Sequence, residues 1–150
     1  MARFIRTLNG YNQPVDVKWR VAINQTINVG DIVQLNTTSR RLEAAVAAST
    51  TLVGVAQEAI TTGGTVTAKD AIKVTPLTGG VFRIDFTGSS KTTLAETDLV
   101  TTLFDLSNKT TMNLDDTSGG MCSVLSFNNG SSVVTKYADV AFAAANVVRI

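Results

Sequence analysis

Hydrophobic and polar residues alternate along much of this chain. Val15, Val17, Trp19, Val21 and Ile23 are interleaved with Asp16, Lys18 and Arg20, the pattern of a strand with one buried face. Asn28-Val29-Gly30-Asp31 turns the chain into Ile32-Val33-Gln34-Leu35, and Asn36 to Ser39 form another turn cluster. Leu42 to Ala48 has helix-forming composition, but so short a segment is marginal as an isolated helix and is expected as a strand. Leu52-Val53-Gly54-Val55-Ala56 reads as a buried strand in which Gly54 marks a bulge or a close backbone approach. Thr62-Gly63-Gly64 is a hairpin-type turn, Ile72-Lys73-Val74 comes next, and Val81 to Phe86 is a further strand. The many threonines suit half-buried pleated surfaces. Short strands set off by turn signals every ~8–12 residues predict an all-β fold, a small β-barrel or a β-sandwich-like core.

The first fourteen residues break the alternation. Arg3-Phe4-Ile5-Arg6 is apolar and basic, and Asn9-Gly10, Tyr11 and Pro14 punctuate the stretch that leads to Val15. Residues 1–14 are therefore expected as an extended N-terminal arm and 15–150 as one β domain. An arm has no local core to bury Phe4, Ile5 and Tyr11, so these side chains, with Arg3 and Arg6, are candidate interface residues. Arg40 and Arg41, an adjacent basic pair, join them.

The second half echoes the first. Gly30-Asp31-Ile32-Val33 resembles Thr97-Asp98-Leu99-Val100, and Gly63 matches Gly130 at the same offset of 67 residues. Two readings are open: duplication of one small β unit, spanning about 28–86 and 95–150, or convergent strand–turn patterning. If the units are copies, they are expected to share one core, because each alone is near the lower size limit for stability.

Composition narrows the chemistry. The chain has 44% hydrophobic and 17% charged residues, a globular balance, and its 150 residues suffice for a core without staples. It has no histidine, which excludes serine or cysteine triads with His and His-containing zinc sites. Cys122, the single cysteine, has no intrachain disulfide partner and reads as a small buried apolar side chain. No glycine run ends in Lys-Ser or Lys-Thr ahead of a helix; Gly88-Ser89-Ser90-Lys91-Thr92 lacks the upstream glycine of a phosphate loop. Asp115-Asp116 reads as a solvated turn rather than a calcium loop. No catalytic residue, metal or cofactor is expected. Nor is nucleic acid expected as a partner, since the net charge is only +1 and no basic–aromatic stripe is present. No apolar run is long enough to cross a bilayer, and Met1 to Thr7 lacks the features of a secretory signal. Charge is uneven, however: residues 1–41 carry six basic and two acidic side chains, and residues 85–139 three basic and seven acidic. That division suits head-to-tail contact between copies or docking on an acidic surface.

The order Val29-Gly30-Asp31-Ile32-Val33, Leu42 to Ala48, Val53-Gly54-Val55-Ala56, Gly63-Gly64-Thr65-Val66 and Gly79-Gly80-Val81-Phe82 resembles that of tailed-bacteriophage capsid decoration, or cement, proteins. The resemblance covers roughly residues 8–86. It implies a non-enzymatic virion protein on the outer capsid surface, bound as a homotrimer and clamping neighbouring major capsid subunits, with no small-molecule substrate and no membrane. On that likeness the arm from Ala2 to Pro14 would be the clamp. Another virion component (tail tube, connector or fibre) and a carbohydrate-binding attachment domain are the alternatives.

Overall fold

The computed structural model describes residues 1–8, 14–131 and 135–148. The alternating segments are strands: β1 (Arg3–Thr7), β2 (Val17–Arg20), β3 (Thr26–Ile27), β4 (Ile32–Leu35), β5 (Leu42–Ala44), β6 (Leu52–Ala56), β7 (Ile60–Thr61), β8 (Ala71–Pro76), β9 (Gly80–Thr87), β10 (Leu103–Asn108), β11 (Thr111–Asn113), β12 (Cys122–Asn128) and β13 (Tyr137–Phe142). Short 3-10 turns occur at Glu96–Asp98 and Ala144–Asn146. The protein is all-β, as its patterning predicts. Leu42 to Ala48 starts as a strand but leaves the sheet after Ala44, and the chain reverses at Ala48 with φ +57°.

Strands β9, β13, β12, β10 and β11 close into a five-stranded barrel. Every neighbouring pair in it is antiparallel except the closing pair, β11 with β9, which is parallel. The other large sheet runs β2-β8-β6-β4-β5, again antiparallel throughout. Its two ends meet at a parallel bridge between Val21 and Leu42. Replacing β2, β4, β5, β6 and β8 by β9, β10, β11, β12 and β13 converts one strand order into the other. By strand order the units run Val17–Pro76 and Gly80–Phe142, so Val81 to Phe86, grouped with the first unit by the sequence pattern, opens the second. The ribbon β3–β7 is an addition to the first unit.

One pair of turns repeats in atomic detail. Asp31 accepts the Asn28 N–H at 2.8 Å and pairs with the Lys109 ammonium at 2.8 Å. Sixty-seven residues on, Asp98 accepts the Ala95 N–H at 2.8 Å and pairs with Lys91 at 2.9 Å. Burial pushes the Asp98 carboxyl upward, but the Ala95 N–H and the Lys91 ammonium outweigh it and hold the group below its ordinary value.

Hydrophobic periodicity explains how the units pack. Val53 and Ala56 cluster with Val33, Leu35, Ile72 and Val74 inside the first unit. Their neighbours Leu52 and Val55, with Ile32, belong instead to the cluster of Phe82, Ile84, Phe86, Phe104, Leu106 and Val140. Strand β6 is thus buried on both faces along its whole length, which is why it reads as an unbroken apolar run. Cys122 lies in the second cluster; burial, reinforced by the Asp105 carboxylate, pushes its thiol far above the ordinary range, leaving an inert core side chain.

Candidate functional site

The N-terminal segment is extended, but residues 3–7 lie on the body rather than free of it. Strand β1 pairs antiparallel with β9, Arg3 opposite Arg83, Phe4 opposite Phe82, Arg6 opposite Val81 and Thr7 opposite Gly80, with Ile5 as the extra residue of a bulge. Phe4 meets Phe82 edge-on at 5.6 Å between ring centres, and Phe142 flanks the same ring at 6.2 Å. A local core for Phe4 therefore exists, contributed by a strand almost eighty residues away, which sequence proximity does not reveal. Ahead of the strand, Ala2 is buried and its N–H donates to the Gly30 carbonyl at 2.9 Å. The Met1 side chain covers Gly30, where an added Cβ would come within 1.9 Å of Met1 Cγ and φ is +86°. The Met1 ammonium meets the Asp85 carboxylate at 2.8 Å. The segment thus touches both units, Gly30 of the first and β9 of the second.

Strand β1 ends its sheet. It occupies the Gly80 to Arg83 part of one β9 edge, while β11 occupies the Asp85 to Thr87 part. Its outer edge has no strand partner among the described residues. Arg3 and Arg6 are exposed along it, and Phe4 and Ile5 are half-buried. Across the sheet, register aligns Arg3, Arg83, Asp139 and Ser126 in one row. Arg83 donates to Asp139 through Nε at 2.7 Å and Nη2 at 2.9 Å, and its guanidinium stacks 3.8 Å over the Tyr137 ring. The Arg83 guanidinium is the main cause holding the Asp139 carboxyl below its ordinary value. A shallow cavity of about 260 Å³ opens between Met1, Arg3, Arg83, Asp85 and Tyr137. The arrangement is a basic and apolar strip along a sheet edge, of a kind that can hold an extended or acidic partner.

The other candidates lie elsewhere. Arg40 and Arg41 sit on the β4–β5 turn of the first unit. The Asn36 side-chain oxygen accepts the N–H groups of Thr38 and Ser39 at 3.0 and 2.9 Å, Arg40 takes φ +56°, and Trp19 Nε1 donates to the Arg40 carbonyl at 3.3 Å. Arg40 is exposed and Arg41 half-buried. Tyr11 lies outside the described residues.

A basic strip on β2 and β8 is absent from the sequence-derived candidates. Lys18 stands directly opposite Lys73, and Arg20 lies two residues along the same strand; all three are exposed. Like charges facing each other across strands are destabilising. The polar phase of the Val15 to Ile23 alternation marks Lys18 and Arg20, but Lys73 joins them only through strand register.

Gly88 to Thr92 has the backbone geometry of an anion nest, filled by the protein's own carboxylate. The N–H groups of Ser89, Ser90 and Lys91 converge on Asp115, those of Ser90 and Lys91 at 3.1 and 2.7 Å. These donors, Lys91 first, hold the Asp115 carboxyl below its ordinary value. Among the described residues no cluster of three or more His, Cys, Asp or Glu is placed to hold a metal ion, and no helix is long and apolar enough to cross a membrane. No protein-family model, curated protein or solved structure matches the chain.

Proposed function

We propose that this chain is a non-enzymatic structural protein of a phage virion, which binds the outer surface of the capsid and bridges neighbouring major capsid subunits. The observation that carries the reading is β1, an edge strand pinned at both ends and flanked by Arg3 and Arg6, whose outer side has no strand partner among the described residues. A partner strand added to such an edge gains main-chain hydrogen bonds, and the arginines select an acidic one. Because β1 is already ordered, little conformational entropy is lost on docking. Many weak contacts repeated over one lattice then give avidity.

Self-association as a trimer belongs to the same proposal. The first unit carries six basic and four acidic side chains, and the second four basic and seven acidic. Head-to-tail contact of one copy's first unit with the next copy's second unit closes a ring if the rotation fits.

The test is binding to purified expanded heads that lack this protein, comparing the full chain with the double variant Arg3→Glu, Arg6→Glu. Charge reversal is preferable to deletion, because removing residues 1–8 would also uncover the site of Phe4 and Ala2. Saturable binding by the full chain, weakened at least tenfold in the variant, is expected. A folded full chain that does not bind matching heads would overturn the proposal.

A further inference from the structure

Lys18, Arg20 and Lys73 face outward, because Trp19 and Ile72, which alternate with them, pack into the core of the first unit. None of the three basic side chains forms an ion pair among the described residues. The acids beside the strip serve other groups: Asp16 accepts the Thr75 hydroxyl at 2.6 Å, and Glu58 accepts the main-chain N–H of Lys73 at 3.0 Å. A cross-strand lysine pair without a counter-charge costs stability and suits a surface whose counter-charges arrive from outside. A matching surplus lies in the second unit, where Glu96, Asp115 and Asp116 form no ion pair among the described residues. Contacts bring them together. Asp115 accepts the Lys91 N–H at 2.7 Å, the Lys91 ammonium pairs with Asp98 at 2.9 Å, and Glu96 opens the turn that ends at Asp98. The lysines here are engaged, Lys91 by Asp98 and Lys136 by the Thr92 carbonyl at 2.8 Å. On the same connection Val100, 63% exposed, has φ +65°, a strained conformation for a β-branched residue. Its N–H donates to the Val124 carbonyl at 2.9 Å and its carbonyl accepts from the Ser123 hydroxyl at 3.4 Å. Such strain persists where the surroundings impose it, and it concentrates at functional positions.

We infer that the strip of Lys18, Arg20 and Lys73 is a docking surface for a second copy of this chain, which presents Glu96, Asp115 and Asp116 to it with Val100 as the apolar contact. Three unpaired cations then meet three unpaired carboxylates, and like surfaces of two copies repel each other, which fixes the orientation. Because the two surfaces differ, each copy holds one neighbour with its strip and another with its acidic end. The inference rests on the self-association in the reading above, not on the capsid, and it names the surfaces that meet.

The experiment is sedimentation of the full chain at about 20 mM and about 500 mM salt. The wild type is expected to associate at low salt and to dissociate at high salt. The double variants Lys18→Glu, Lys73→Glu and Glu96→Lys, Asp116→Lys each associate at least tenfold more weakly, and an equal mixture of the two regains association, since every reversed charge then faces its opposite. Asp115 is left in place because it holds the Ser89 to Lys91 loop. Val100→Gly, which removes the strain of a positive φ, weakens association several-fold with an unchanged or higher melting temperature, the reverse of what a residue kept for the fold would show. A wild type that stays monomeric at low salt, wild-type association in either folded charge variant, or no recovery in their mixture would overturn the inference. So would a strip that works only on the capsid, seen as a monomeric wild type whose binding to purified heads is weakened by Lys18→Glu, Lys73→Glu. Should a charge variant fail to fold, the salt dependence and Val100→Gly still decide. Association is read without heads, so failure here is distinguishable from failure of the capsid reading.

Discussion

A methyl group at Gly54 would lie 2.2 Å from Val74 Cγ1 and 2.4 Å from the Thr75 carbonyl oxygen. Backbone on the neighbouring strand cannot move aside as a flexible side chain can, so Gly54→Ala is expected to destabilise the protein by about 2 kcal/mol or more, read as a lower urea midpoint at unchanged slope. The glycine's role is legible from the sequence, because glycine weakens a strand interior and persists there where another backbone comes close. The pair Arg83 and Asp139 is not legible, since 56 residues separate them and neither stands out in its own strand. Replacing Asp139 by Asn removes one charge from a bidentate pair and should cost about 2 kcal/mol near neutral pH. The sign with pH comes from its lowered folded value. The stabilisation is present above the unfolded carboxylate value of 3.8 and is lost as pH falls through the folded one. Stability curves of wild type and Asp139→Asn should therefore begin to converge as pH falls below about 4 and meet only below the folded value; curves that stay parallel as pH falls further would show that the pair acts through packing alone.

Individual strands are readable wherever alternation meets turn residues, as in β2, β4, β6 and β9. What a single strand's pattern does not contain is its neighbour. Val81 to Phe86 lies just after Pro76 to Gly80 and so reads as the end of the first unit, yet its hydrogen bonds go to β1, β11 and β13. Strand β1 reads as a bare arm for the same reason. The Arg40–Arg41 turn is recognisable from its residues, but the Lys18–Lys73 pair is not, because it exists only in the register of β2 with β8. The paired state of β1 makes its own prediction. Phe4→Ala should cost about 2 kcal/mol through lost burial and the lost ring contact, and should speed hydrogen exchange at those amides of residues 3–7 that bond to β9. Destabilisation without faster exchange in β1 would mean that Phe4 does not anchor the strand.

The two units share a strand order but not independence. Ile32, Leu52 and Val55 of the first lie in the cluster that fills the second. The buried Asp105 carboxylate of the second accepts the Ala48 N–H of the first, at 2.8 Å to its nearer oxygen. The repeated aspartate turns offer a matched comparison. Lys109 reaches from the second unit to Asp31 in the first and also donates to the Thr26 carbonyl at 2.8 Å, whereas Lys91 serves Asp98 within its own unit. Lys109→Met leaves a buried carboxylate with its charge uncompensated and should cost about 3 kcal/mol. Lys91→Met, at a side chain 38% exposed, should cost about 1 kcal/mol. Calorimetry is expected to show one cooperative transition in the wild type; two resolved transitions would mean that the units fold separately.

The placement of β1 also has a consequence in time. Arg3 leaves the ribosome eighty residues ahead of its sheet neighbour Arg83. At about 5–20 residues per second, Phe4 and Ile5 remain without a partner strand for roughly 4–16 s in the crowded space around the translating ribosome. Flanking charges of this kind act as gatekeepers against premature strand pairing. Arg3 and Arg6 thus have work to do before the protein is complete: they keep the unfinished chain from pairing with its neighbours on the same message.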